Sequence, residues 1–212
     1  MPTTQQAFIE EGIKRMEIHE FLSRELSRAG YVDIEISKTP IGTRIIIYAE
    51  RPALVIGRKG ATIKRIAAIL EKRFGLESPH IDVVPIQNPE LNAKVMAYRI
   101  ARALVRGIKF RRVAFVALRQ IMEAGAEGAE IVISGKLTSE RARFEKYTAG
   151  VLAKSGHPRE AFVDEAKVTV LLKPGVYGVK VRIMPPSPLP DRIRIVEQKQ
   201  AEEVSEAAAA QA

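Results

Sequence analysis

The chain has 212 residues, 46% of them hydrophobic and 28% charged, enough for one large folded domain or two small ones. Its 34 Lys and Arg against 25 Asp and Glu leave a formal charge of +9, and that balance points to a polyanionic partner. With no cysteine, disulfides, thiolate metal sites and a cysteine nucleophile are excluded, and no apolar run reaches the roughly 18 residues of a membrane-spanning helix. The opening Met1-Pro2-Thr3-Thr4-Gln5-Gln6 has neither the basic nor the apolar region of a signal peptide, so a soluble cytoplasmic protein is expected.

Residues 5–29 predict a helix, with apolar positions at Ile9, Ile13, Met16, Leu22 and Leu26 and a stop at Gly30. Two strand patterns follow. Val32, Ile34 and Ile36 alternate with polar residues, Arg44 to Ala49 is a β-branched block, and Thr39-Pro40-Ile41-Gly42 between them predicts a hairpin turn. A short apolar segment, Pro52 to Ile56, leads into Gly57-Arg58-Lys59-Gly60. Behind it a helix places Ile63, Ile66, Ala67, Leu70 and Phe74 on one face, with Lys64, Arg65 and Lys72 away from it. Ile81 to Ile86 then predicts a strand.

Two glycines bracketing two cations have the form of a loop that grips a nucleic-acid backbone. Glycine lets the main chain approach phosphates, and the N–H groups at the next helix's start add donors. About one G-x-x-G is expected by chance in a chain with this glycine content, and three occur. Gly125-Ala126-Glu127-Gly128 predicts a helix stop and turn, and Gly175-Val176-Tyr177-Gly178 a hairpin connection. Neither carries cations between its glycines. The order helix, strand, strand, short helix, glycine loop, helix, strand resembles a type II KH domain, with a core over about residues 17–86.

Asn88-Pro89 marks a boundary between an N-terminal domain, 1–88, and a C-terminal one, 89–185. Pro89 suits the first turn of a helix running to about Ile108, with Ala93, Ala97, Ile100, Leu104 and Ile108 on one face. Arg99, Arg102, Arg106 and Lys109 form a separate basic stripe. A second helix, Arg111 to Ala124, puts Val113, Ala117 and Ile121 on one face and Arg111, Phe115 and Arg119 on another. From Leu91 to Met122 there are eight cations and no carboxylate, a segregation that an ordinary solvated face does not explain. Glu130–Ser134, Ala142–Leu152, Lys167–Leu172 and Val179–Ile183 predict a small, mostly antiparallel sheet. Residues 186–212, from a proline-rich stretch to an acidic, alanine-rich end, are expected to be an extended and disordered tail.

Together these features resemble the universal small-subunit ribosomal protein three family in its archaeal–eukaryotic form, across almost all of residues 1–190. The likeness rests on Val55-Ile56-Gly57-Arg58-Lys59-Gly60, Ile121-Met122-Glu123-Ala124-Gly125-Ala126, Val132-Ile133-Ser134-Gly135-Lys136-Leu137 and Pro174-Gly175-Val176-Tyr177-Gly178-Val179-Lys180-Val181. It implies an α+β protein of two domains, an N-terminal type II KH fold followed by two helices on a small sheet. It also implies a structural constituent of the small (30S) subunit, bound to 16S ribosomal RNA in the head beside neighbouring head proteins and lining the messenger RNA entry channel. The positions matching the family's message-facing cations are Arg111 and Arg112. The bacterial pattern has a further lysine where this chain has Phe115, and Arg119, one turn on, is placed to compensate.

The expected RNA-binding set is Gly57, Arg58, Lys59, Gly60, Lys64, Arg65, Arg99, Arg102, Arg106, Lys109, Arg111, Arg112 and Arg119. No catalytic residue, metal, cofactor, membrane or small-molecule substrate is expected. His19, His80 and His157 lack metal-ligand spacing, and Ser134-Gly135-Lys136 lacks the earlier glycine of a phosphate loop. With 6% aromatics and no Trp, the chemistry favours backbone gripping over base stacking. Two alternatives stand beside this reading. One is a lyase or endonuclease acting on damaged DNA, as assigned to eukaryotic relatives, which requires a nucleophilic lysine that the sequence does not single out. The other is a KH-bearing transcription or processing factor, which lacks accompanying domains here.

Overall fold

A computed structural model of the chain describes residues 4–39 and 42–187. The expected disordered tail lies almost wholly outside these residues, as do Pro40 and Ile41 at the hairpin turn.

Helix α1, Thr4–Glu25, continues through a 3-10 turn at Ser27–Ala29 and stops at Gly30, which takes the left-handed conformation (φ 70°). Its C-terminal half supplies Ile18, Leu22 and, just beyond, Leu26 to a core; Ile9, Ile13 and Met16, which also marked the helix in sequence, remain exposed. Strand β1, Tyr31–Thr39, pairs antiparallel with β2, Gly42–Ala49, and β2 pairs parallel with β3, His80–Pro85. Between β2 and β3 run α2, Pro52–Ile56, and α3, Ala61–Phe74. The parallel β2–β3 pair requires such a crossover. Ile45 and Ile47 on β2, Val55 on α2 and Ile66, Leu70 and Phe74 on α3 bury against α1. Full burial of one such aliphatic side chain contributes about 2 kcal/mol. The expected order of the KH fold is observed, with the sheet order β1-β2-β3.

The second half begins with a 3-10 turn at Pro89–Leu91, and the helix expected from Glu90 starts only at α4, Ala93–Val105. The Asn92 side chain accepts from the N–H groups of Lys94 (3.1 Å) and Val95 (3.2 Å), an N-cap that fixes the later start. Ile108, expected on this helix's buried face, is exposed beyond its end. Helix α5, Phe110–Glu123, follows, then strands β4, Gly128–Gly135, β5, Arg143–Gly150, β6, Asp164–Leu172, and β7, Gly175–Met184. They form one antiparallel sheet in the order β5-β4-β7-β6. Ala97, Ile100 and Leu104 of α4 and Val113, Ala117 and Ile121 of α5 pack on one face of it, against Ile131, Ile133, Val179 and Val181.

Two sequence expectations are corrected here. Gly175 to Gly178 is not a connection: the turn is at Lys173 and Pro174, and both glycines lie in β7. A short helix α6, His157–Phe162, stands where none was expected, because six residues are too few to show an apolar period.

Helix α4 serves two surfaces. Its small and aliphatic side faces the second sheet, while its other side carries Lys94, Tyr98, Arg99 and Arg102 against the first unit. Lys94 Nζ donates to the Val32 carbonyl at 2.7 Å, and Tyr98 and Ser23 share a hydroxyl–hydroxyl hydrogen bond of 2.9 Å. One helix thus links the two cores.

Candidate nucleic-acid interface

The glycine loop is built by α2 and α3. The Gly57 N–H closes α2 on the Ala53 carbonyl, and Gly57 then adopts φ 74°, ψ 178°, a region essentially reserved for glycine. A Cβ there would lie 2.2 Å from Thr62 Oγ1. Gly60, left-handed at φ 74°, has room for a Cβ, which would make an ordinary contact with Ile63 Cγ2 at 3.7 Å, so its requirement is conformational alone. Between them Lys59 itself takes φ 53°, ψ 28°, left-handed for a residue with a side chain. That conformation costs roughly 1 kcal/mol. The turn leaves Arg58 and Lys59 exposed at the start of α3, without an ion-pair partner among the described residues, and Lys64 on α3 is equally free. Arg65 is tied to Glu25 of α1 at 2.7 Å. Free cations, a glycine-shaped backbone and a helix start converge here, which is what phosphate binding requires.

The α4 stripe is different. Arg99 donates to Glu50 at 2.9 Å and to Glu90 at 3.3 Å, and Arg102 to Glu50 at 3.3 Å and to the Arg28 carbonyl at 3.4 Å. The Glu50 side chain is only 6% exposed. It lies directly over Gly30, where an added Cβ would meet its carboxylate at 2.6 Å. Arg99 and Arg102, expected among the RNA contacts, therefore hold the two units together instead of presenting free charge to solvent. The stripe is also split, because Gly107 (φ 82°) turns the chain and leaves Arg106 and Lys109 exposed beyond α4, with no ion-pair partner among the described residues.

On α5, Arg112 is exposed and has no ion-pair partner among the described residues. Arg111 makes a two-pronged contact to Glu145 of β5, at 3.2 and 3.1 Å, and its guanidinium lies 5.7 Å from the Phe110 ring centre. Hydrogen bonds from Arg111 and then Tyr147 hold the Glu145 carboxyl below the usual carboxylate range. Burial and the hydrogen bond to Glu145 push the Tyr147 phenol up to about 12. Phe115 packs edge-on against Tyr147, ring centres 5.2 Å apart, and Arg119 pairs with Glu123 at 2.7 Å. The i, i+4, i+8 face of Arg111, Phe115 and Arg119 is present, but among the described residues its two arginines are paired and Arg112 beside it is not.

Three clusters result: the glycine loop, the Arg106–Lys109–Arg112 bend between α4 and α5, and the paired α4 arginines. What sequence reasoning missed is Glu50. It lies 49 residues from Arg99, outside the acid-free segment, and no local pattern marks it. The groove between α4 and α5, about 480 Å³, is lined by Ile100, Ala103, Ile108 and Val116 with Arg99 and Arg112 as its charged residues. Among the described residues, no group of three or more His, Asp or Glu is placed to hold a metal.

Comparison with known proteins agrees with this geometry. Residues 17–91 match a family described as KH domain, and residues 100–183 match one described as ribosomal protein S3, C-terminal domain. A Thermofilum pendens protein named small ribosomal subunit protein uS3 is 62% identical over 92% of this chain and 96% of its own length. Proteins of the same name from Saccharolobus solfataricus and Methanocaldococcus jannaschii are 51% and 49% identical, over 93% and 95% of this chain and 86% and 98% of their own. Two adjoining domain matches in one order and near full-length identity lead to one conclusion: the chain belongs to the uS3 family of small ribosomal subunit proteins.

Proposed function

We propose that the protein is a structural, non-catalytic constituent of the small ribosomal subunit, bound to 16S ribosomal RNA and neighbouring head proteins, and working at the ribosome in the cytoplasm. The functional division falls near Asn88, with the glycine loop gripping the RNA backbone and the free cations beyond α4 facing RNA on the other side. The observation that carries this is the loop: Arg58, Lys59 and Lys64 have no ion-pair partner among the described residues and stand around a backbone shaped by Gly57 and Gly60. Free Lys and Arg bind phosphates by releasing counterions, so affinity falls steeply with salt.

The entry-channel role is assigned to the N-terminal part of α5. Arg112 supplies a free charge, and Arg111, braced on Glu145, supplies a fixed one. Arg111→Ala combined with Arg112→Ala is expected to leave subunit assembly intact and to slow translation of structured messages. Equal slowing on unstructured messages would remove the channel assignment. The subunit assignment is tested by sedimentation, with the native protein expected to travel with small subunits at moderate salt.

The lyase reading has less support. Lys94, the lysine drawn into the interface between units, donates to the Val32 carbonyl and faces His19 Nε2 at 3.3 Å, so its amine is occupied as a donor. Borohydride trapping on abasic DNA is expected to give no adduct, and an adduct would revive that reading.

A further inference from the structure

The second sheet has two faces, and only one is covered by α4 and α5. On the other, the register aligns side chains in rows across the four strands. Lys146 of β5, Val132 of β4, Lys180 of β7 and Lys167 of β6 form one row. Phe144, Ser134, Gly178 and Thr169 form the next, and Val176 and Leu171 continue beyond it on β7 and β6. Phe144, Lys146 and Thr148 must share this face, because Glu145 and Tyr147 turn inward to Arg111 and Phe115.

Charge and shape on this face are both specific. Five cations, Lys146, Arg159, Lys167, Lys180 and Arg182, share two carboxylates, Glu130 and Glu165. Glu130 is 3% exposed and Glu165 27%. The acids are thus sunk in the face and hold the cations in place, leaving three positive charges in excess. Strand spacing puts the lysines of the row about 10 and 5 Å apart, within reach of successive phosphates of an extended strand. The neighbouring row has a low floor. Gly178 sits mid-strand, where a Cβ would lie 2.7 Å from Ser134 Oγ. A glycine inside a strand marks close approach by a ligand or another backbone. Phe144, 69% exposed, stands at one end of that floor, and Val176 and Leu171, 60% and 80% exposed, stand at the other.

We infer that this uncovered sheet face is a further RNA-contact surface, taking a single-stranded segment with phosphates along Lys146, Lys180 and Lys167 and a base stacked on Phe144 over the Ser134–Gly178 floor. The inference rests on the ribosomal RNA-binding reading above. A polyanion, not a protein, is the occupant because the excess charge is of one sign and lies beside the aromatic ring. An apolar protein surface would have to desolvate a cluster that carries three net positive charges.

The test uses the full-length protein and a 5-iodouridine-substituted oligouridylate, with photo-cross-links mapped and affinity read by anisotropy. An adduct at Phe144 is expected. In a background carrying Arg58→Asp and Lys59→Asp, Phe144→Ala is expected to lower the remaining affinity about tenfold and Phe144→Tyr to restore it. Lys167→Gln should reduce the salt slope by about 0.7. Circular dichroism checks that each exposed-site variant is folded. If the loop substitutions weaken binding while Phe144→Ala does not, this face is not an RNA site and the ribosomal reading stands. If Phe144→Leu binds as well as wild type, the contact is merely apolar and a protein surface replaces the proposal. If the wild-type protein binds no oligonucleotide at any salt, both readings fall.

Discussion

The glycine loop and the α4 stripe carry similar charges and have opposite fates. At the loop, Arg58 and Lys59 lie exposed on the turn before α3, and no carboxylate among the described residues comes within pairing distance. On α4, Arg99 and Arg102 lie in a stretch equally free of acids, yet both end on Glu50 of the first unit. The difference is one of dimension. A charge is free when its neighbourhood in space lacks a counterion, and neighbourhood along the chain fixes that only where the chain projects. A folded chain spends some of its basic residues on itself, and the remainder is what a polyanion meets.

Breaking the joint has the largest expected effect. Glu50→Ala leaves two half-buried guanidiniums without their shared partner, which should cost about 3 kcal/mol. Urea denaturation should then separate into two transitions, one per core. A single transition at the wild-type midpoint would mean that Lys94 and Tyr98 alone join the units.

Next in size is the loop backbone. Gly57→Ala must abandon φ 74°, ψ 178° or collide with Thr62, and is expected to cost about 2 kcal/mol and to weaken RNA binding. Gly60→Ala makes only an ordinary contact with Ile63, at 3.7 Å, and should cost about 1 kcal/mol for its left-handed backbone. Thermal melts of the two variants compare them directly, and equal losses would show that the Thr62 contact is unimportant.

Acid acts on the second sheet more than on the first. Burial alone would raise the Glu165 carboxyl, but hydrogen bonds from Arg182, Lys180 and Lys167 outweigh it and hold it at about 2, against an ordinary 4.5. Glu130 is shifted the same way: Lys146 and Arg182 overcome its burial. A carboxyl lowered on folding stabilises the fold above its unfolded pKa, and that contribution disappears as pH falls from about 4.5 to about 2. Amide exchange in β6 and β7 should therefore accelerate over that window, ahead of β1 and β2. Parallel acceleration of both sheets would contradict the assignment.

The smallest effect on stability, and the sharpest on function, belongs to the free charges. Arg58→Asp with Lys59→Asp should leave the melting temperature unchanged and reduce the salt slope of single-strand RNA binding by about 1.4. Arg99→Ala with Arg102→Ala should do the reverse, lowering stability and barely moving the slope. The pair of experiments turns the contrast between the two regions into two numbers.

Much of this was legible in the sequence because it is local. A glycine pair, a cation pair and an amphipathic period declare a loop and its helix within a dozen residues, and the order of elements then implied the KH fold. β5 was legible only dimly, since its alternate residues face α5 and the outer surface and each set mixes polar and apolar side chains. Gly175 to Gly178 misled because Pro-Gly signals a turn, whereas the Ser134 contact that requires Gly178 lies 44 residues away. The inward fate of Arg99 and Arg102 was illegible for the same reason: their partner is set by how two units dock, and docking leaves no period in a sequence.

The two-sided helix α4 has a consequence for affinity. Because it is gripped by both cores, the glycine loop of the first unit and the cations beyond α4 are carried on one frame. An RNA that engages one cluster meets the other at a high effective concentration, with the translational cost of the second contact already met. On the proposed function, moderate sites would thereby combine into tight attachment to one folded RNA, while loose strands that reach a single cluster would gain nothing. Glu50, buried in the joint, would set that avidity through the stiffness it gives the two units.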